Sequence, residues 1–269
     1  MRRLAIAVAS GLLALPGVAQ AAESGFTVQY GATLKQNALV YPAGARPVLL
    51  LHMKGQTAEM LHNVAEYLQA QGFTVYDLNW QEPRGAGGVF PADTNQVAEA
   101  IAYVRRTASL WGVDAGRLTA VGGSRGALLA LLASQRSDEA APGSVRAVAS
   151  LSGTVDPKRS IERARAGESA PKELETLDGT FGCPSTTECE EAYVSEWSPV
   201  VQVDPTAPAM FLAASETEDR AWPADQYETA HALAAVGVPS SVVVPSEGHG
   251  FGYWGKVRSQ VVAFLAEHS

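Results

Sequence analysis

The sequence predicts an α/β fold in which a mainly parallel central sheet is flanked by helices, and two observations carry that prediction. From Arg46 onward, short β-branched or apolar runs alternate with longer stretches of helical period, the signature of strand–helix–strand units whose helices cover a sheet. The chain is 269 residues long, which suits one such domain with a large buried core and leaves little room for a second.

In chain order, Thr27–Tyr30 and Ala38–Tyr41 are expected to add an antiparallel edge hairpin. The strands that follow are Val48–His52, Thr74–Leu78, Leu118–Gly122, Val145–Leu151, Ala209–Ala213 and Ser241–Val244. Helices are predicted near Thr57–Gln71, Thr94–Leu110, Arg125–Gln135, Pro223–Val236 and Gly255–Glu267, where apolar residues recur every three or four positions. No internal repeat or low-complexity linker interrupts the series. One interval does break the rhythm. From Thr154 to about Pro208 more than fifty residues separate two strands, far beyond an ordinary connection. We expect an inserted cap here, with short helices around Lys158–Ala166 and Glu188–Ser195.

The first 21 residues stand apart. Met1-Arg-Arg precedes an apolar run, Leu4 to Val18, and Ala19-Gln-Ala21 follows, the three parts of a secretory signal peptide. The run contains Gly11, Pro16 and Gly17 and falls short of the roughly 20 residues that a membrane span needs. Cleavage after Ala21 would leave residues 22–269 as a single soluble domain without membrane insertion. The leader removes Arg2 and Arg3, so 18 basic residues face 28 acidic ones and the net charge moves from −8 to −10. Such a surface repels nucleic acid and anionic membranes. The richest basic stretch, Lys158-Arg159 with Arg163 and Arg165, is interrupted by Glu162 and reads as a solvated helix face. Cys183 and Cys189 lie close together in the insertion of an exported chain, and a local disulfide is the expected state. A loop this short contributes about 2 kcal/mol on the entropy model, so its task would be to stiffen one segment.

Chemistry enters at Gly122-Gly-Ser-Arg-Gly126, where a strand runs into an Ala/Leu-rich helix. This is G-x-S-x-G in a strand–turn–helix setting. A serine on so sharp a turn projects its hydroxyl away from the sheet, and the flanking glycines allow close packing. The turn also puts the Arg125 amide at a helix N-terminus, where the dipole favours a developing oxyanion. A serine hydroxyl is a weak nucleophile and needs a base, a task that suits histidine. His62 and His231 fall inside helices, His268 is near the terminus and His52 precedes the serine. His249 lies in Ser246-Glu-Gly-His-Gly-Phe251, a small-residue loop between the last strand and the last helix. The orienting acid is sought after Ala209–Ala213, where Glu216, Glu218 and Asp219 are available. Asp219 is chosen for its Asp-x-x-x-Pro spacing to Pro223, with Glu218 as the runner-up. Trp80, Trp222, Phe251, Tyr253 and Trp254 fall near the loops that frame this pocket, either as its lining or as ordinary packing.

These pieces resemble the α/β-hydrolase superfamily, specifically its dienelactone-hydrolase and prolyl-oligopeptidase-like esterase group. The matching segments are His52-Met-Lys-Gly55, Gly122–Gly126, Trp197-Ser-Pro199, Asp219–Pro223 and Gly248-His-Gly-Phe251, and they cover the chain from about Arg46 onward. The resemblance implies Ser124 as nucleophile, Asp219 as acid, His249 as base and the Arg125 amide as one oxyanion donor. Family members usually carry His-Gly after the first parallel strand. Here Met53 replaces that glycine, so the second donor is expected from the Lys54 amide, with Met53 as fallback. The expected reaction is hydrolysis of small or medium acyl esters through an acyl-enzyme, without metal or organic cofactor. Amide hydrolysis, acyl transfer and a non-catalytic binding role on the same fold are the alternatives.

Overall fold

The structure, a computed structural model, describes residues 25–82, 92–136, 144–169, 197–219 and 221–269. Eight strands form one sheet: β1 (Phe26–Gln29), β2 (Asn37–Tyr41), β3 (Arg46–Leu51), β4 (Phe73–Asn79), β5 (Thr119–Gly123), β6 (Ala147–Leu151), β7 (Ala209–Ala213) and β8 (Ser240–Val243). Their spatial order is β1-β2-β4-β3-β5-β6-β7-β8. β1 pairs antiparallel with β2, and β2 antiparallel with β4, while every other pairing is parallel. The predicted edge hairpin and parallel sheet are both present.

The central strands read as continuous apolar runs because both faces are covered. In β3, Leu49 and Leu51 point into one core and Val48 and Leu50 into the other. The first core is covered by α2 (Ala92–Thr107), α3 (Arg125–Gln135), α4 (Pro157–Arg165) and α5 (Pro223–Ala235). The second is covered by α1 (His62–Ala70) and α6 (Trp254–His268). α6 shows how the pattern works: Val257, Val261, Phe264 and Leu265 are buried, a stripe at helical spacing. Helix ends differ from expectation by a turn. The predicted Thr57–Gln71 helix opens with a 3-10 turn over Ala58–Leu61, and α2 ends at Thr107, followed by another such turn over Ala108–Trp111.

The insertion leaves β6 through α4, close to the predicted Lys158–Ala166. Asp156 caps this helix by accepting the Arg159 amide hydrogen at 3.1 Å, with Pro157 at its first turn. The basic face is solvated at Lys158 and Arg165, as its sequence suggests, while its other two arginines turn to α5. Arg163 donates to Asp225 of α5 at 2.7 Å and Arg159 to Glu228, so α4 is clamped to α5 by ion pairs. The second predicted cap helix, Cys183, Cys189 and the 1–21 leader lie outside the described residues. None of the described helices is long and apolar enough to cross a membrane.

One strand residue runs against the pattern. Asp77 of β4 faces Leu39 and Leu50 across the sheet, is fully buried and has no hydrogen-bond partner among the described residues for either oxygen. Burial pushes its carboxyl well above the usual range, and Glu59 adds to the effect. A raised folded-state value means that the unfolded chain releases the proton first, so stability falls as pH rises from about 4 toward the folded value. Asp77→Asn is therefore expected to raise Tm at pH 7–8, with the gain vanishing near pH 4. Parallel Tm–pH curves for the two proteins would contradict this.

Candidate active site

The carboxyl ends of β5, β6, β7 and β8 lie side by side, and the loops that leave them converge. β5 ends in two glycines, and the next residue, Ser124, has φ 51° and ψ −117°, strained for a residue with a side chain. The strain is held by hydrogen bonds: the Ser124 amide donates to Leu151 O at 2.8 Å, and Ser124 O accepts from the amides of Ala127 and Leu128 at 3.1 and 3.2 Å. A Cβ on Gly122 would sit 2.5 Å from the Gly126 carbonyl, and one on Gly126 would sit 2.4 Å from the His52 carbonyl. Both spacings forbid a side chain, which accounts for the glycine pair. α3 then begins at Arg125, so the amide of Arg125 sits at a positive helix end.

His249 arrives from the loop after β8. Its Nε2 is 2.8 Å from Ser124 Oγ, and its Nδ1 is 2.9 Å from both carboxylate oxygens of Glu218. With Nδ1–H donating to the carboxylate, Nε2 is left bare to accept the serine proton. Glu218 is 3% exposed and His249 37%, so the acid is sealed while the base reaches the surface of the site. The two loops are also tied to each other, Ser215 Oγ donating to Gly248 O at 2.7 Å and the Glu216 amide to Pro245 O at 2.9 Å.

The acid predicted from Pro spacing, Asp219, does not meet the histidine. A tight turn, closed by the Glu218 amide on Ser215 O at 3.1 Å, folds position 218 back over the end of β7. Position 219 lies one step farther along, and its carbonyl accepts from Ser169 Oγ at 2.8 Å. Through Ser169 the described start of the insertion touches this acid loop.

On the other side of Ser124, the Met53 amide donates to Gln56 Oε1 at 3.3 Å, so the fallback oxyanion donor is engaged by a side chain in this structure. The Lys54 amide has no partner among the described residues. The Met53 side chain fills space beside the turn: its sulfur lies 2.5 Å from where a Cβ on Gly250 would stand, and its Cγ 3.1 Å from one on Gly123. His52 donates from Nδ1 to Met53 O at 2.8 Å and stacks on Trp80, whose Nε1 donates to His52 O at 3.1 Å. Burial lowers the His52 pKa, which keeps this imidazole neutral. Of the aromatics expected around the pocket, Trp80, Tyr253 and Trp254 are buried packing residues, and Phe251 lies against Gly123.

Three residues, Gln56, Asp93 and Ser152, escaped the sequence reading, and Tyr253 was placed near the pocket without its role behind the acid. Gln56 holds the Met53 amide. Asp93, at the start of α2, accepts from Nε and Nη2 of the buried Arg125 side chain at 3.0 and 2.6 Å. Ser152 and Tyr253 stand behind Glu218. Among the described residues no group of three or more His, Cys, Asp or Glu converges as metal ligands would.

A family model described as BD-FAE matches residues 50–233. The structure is similar to that of an acetyl ester-xyloside bifunctional hydrolase from Caldicellulosiruptor lactoaceticus, at TM-score 0.66 and 17% identity over 93% of this chain and 96% of the other. It is similar to a hyperthermophilic esterase from the archaeon Pyrobaculum calidifontis, at TM-score 0.70 and 20% identity over 91% and 86%. A puromycin-hydrolyzing peptidase from Mycobacterium tuberculosis superposes at TM-score 0.73 and 23% identity, over 96% of this chain but 41% of the other. At such identities the likeness is one of fold. No curated protein matches the chain by sequence. Since the matched residues 50–233 make up well over half of the chain and the sheet has the mixed order described above, the chain belongs to the BD-FAE family and has the α/β-hydrolase fold.

Proposed function

We propose that this protein is a serine hydrolase that cleaves carboxylic esters, with Ser124 as nucleophile, His249 as general base and Glu218 as the orienting acid. The observation that carries this reading is the continuous hydrogen-bond line from Ser124 Oγ through His249 to Glu218. Ser124 Oγ attacks the ester carbonyl carbon while His249 Nε2 takes its proton, and the buried carboxylate stabilises the imidazolium. The oxyanion so formed is met by the amides of Arg125 and Lys54, each of which typically contributes about 2.7–4 kcal/mol. Collapse expels the alcohol, which receives the proton from His249. Water, deprotonated by the same nitrogen, then releases the acid and restores Ser124.

Small or medium acyl esters are the substrate class, in keeping with the esterases among the structural neighbours. The sequence of residues 1–21 supports export to the periplasm or beyond, with a Cys183–Cys189 disulfide. A mature N-terminus at Ala22 and no titratable thiol are the expected results for the exported protein.

A fluorophosphonate probe tests the nucleophile directly. Wild type should be labelled and Ser124→Ala should not; equal labelling of both, or of neither, overturns the reading. Assaying acyl esters of rising chain length beside dipeptidyl amides tests the bond cleaved. Faster amide turnover would transfer the assignment to a peptidase, the activity named for one neighbour.

A further inference from the structure

Ser152, the first residue after β6, occupies a place that its sequence context does not advertise. It has φ 57°, a conformation that disfavours any residue with a Cβ. Its amide donates to Ala213 O at 2.7 Å, just where β7 ends, and the carbonyl of the preceding Leu151 accepts from the Ser124 amide at 2.8 Å. The backbone of these two residues therefore fixes the nucleophile's turn and the root of the acid loop together.

The side chain completes the arrangement. Ser152 Oγ donates to Glu218 Oε1 and accepts from the amide of Gly250, next to the base, at 2.7 Å. Tyr253 OH lies 2.8 Å from the same oxygen and 2.9 Å from Ala213 O. A hydroxyl has one hydrogen and two lone pairs. With its hydrogen on the carboxylate, Ser152 Oγ accepts from Gly250 N–H and, on its second lone pair, faces the phenol. Burial, and to a smaller extent the charge of Glu218, raise the Tyr253 pKa above its usual range, so the phenol keeps its proton; that one hydrogen goes to Ala213 O or to Ser152 Oγ, never to both. All of these side chains are buried except that of His249.

We propose that Ser152, backed by Tyr253, is a positioning residue that locks Glu218 in register with His249 and sets the efficiency of proton transfer at Ser124. The inference rests on the serine-hydrolase reading. A glutamate has three rotatable bonds, and Ser152 supplies a second direction of hydrogen bonding that removes its freedom to swing off the imidazole. The same oxygen anchors the base's own loop, so acid and base share one reference point.

The test measures the fluorophosphonate labelling of Ser124, as kinact and KI, in wild type, Ser152→Ala, Glu218→Gln and the double variant. Ser152→Ala is expected to lower kinact by about 10–100-fold, the usual cost of losing a supporting hydrogen bond behind a working ligand, with KI within about twofold. In the Glu218→Gln background the same change should cost less than about twofold, because residues acting as one unit are not additive. Equal cost in both backgrounds, or a shift in KI alone, would make Ser152 a merely structural residue and overturn the inference. Wild type that resists labelling would instead sink the serine-hydrolase reading itself. Ser152→Cys keeps a weaker donor without β-branching, and an intermediate kinact is expected. If Ser152→Ala fails to fold, the cycle with Ser152→Cys decides by the same criteria.

Discussion

Glu218→Gln is expected to lower kcat by about four orders of magnitude, while Asp219→Asn leaves it within about twofold. The contrast follows from geometry. Glu218 receives the Nδ1–H of His249 on a carboxylate sealed from solvent. An amide of the same shape removes the charge that stabilises the imidazolium, and it can present an N–H that turns the ring to the wrong tautomer. Four orders of magnitude correspond to about 5.5 kcal/mol of transition-state stabilisation. Asp219 offers its backbone carbonyl to Ser169, a contact that Asn retains. Steady-state kinetics of the two variants on one activated ester decide the matter, and the opposite ranking would return the acid's role to Asp219.

The second large effect concerns stability. The Arg125 guanidinium and the Asp93 carboxylate are almost wholly buried and meet at 2.6 and 3.0 Å. Burial is the main influence on both: it raises the Asp93 pKa and lowers that of Arg125, and each partner opposes the shift of the other. An arginine cannot shed its proton in practice, so removing the carboxylate that meets it at 2.6 Å leaves a buried charge less well compensated, with Glu82 as a weaker remaining influence. Asp93→Ala should therefore cost about 3–5 kcal/mol, a fall in Tm of roughly 6–20 °C for a domain of this size. The paired replacement Asp93→Leu with Arg125→Met should recover most of that loss, because apolar pairs of similar volume replace buried ion pairs well. If the single variant melts with wild type, the pair does not hold α2 to the serine turn.

How far the sequence could be read depends on the kind of signal each residue leaves. The sheet was legible because its strands are continuous apolar runs punctuated by glycine turns, and the site's location followed from Gly122–Gly126 and the loop around His249. The identity of the acid was not. Glu216, Glu218 and Asp219 compete within four positions, and the choice turns on a hydrogen bond that closes one tight turn, a feature that no residue type announces. The ion pairs of α4 were not legible for a related reason: its charge pattern is visible, but the carboxylates of α5 that meet Arg159 and Arg163 lie more than sixty positions away. Ser152 and Asp77 are hidden more deeply. A lone serine after a strand, or a lone aspartate within one, gains its meaning only from what long-range packing places beside it.

The order of the strands along the chain has a consequence for biogenesis. The serine turn lies 125 residues ahead of the histidine that meets it, and β7 and β8, which deliver the acid and the base, are laid down after the nucleophile's own strand. During synthesis the Ser124 hydroxyl therefore emerges before the residues that meet it, His249 and Glu218, have been added to the chain. The hydrogen-bond line from Ser124 to Glu218 can form only once β7 and β8 have joined the sheet.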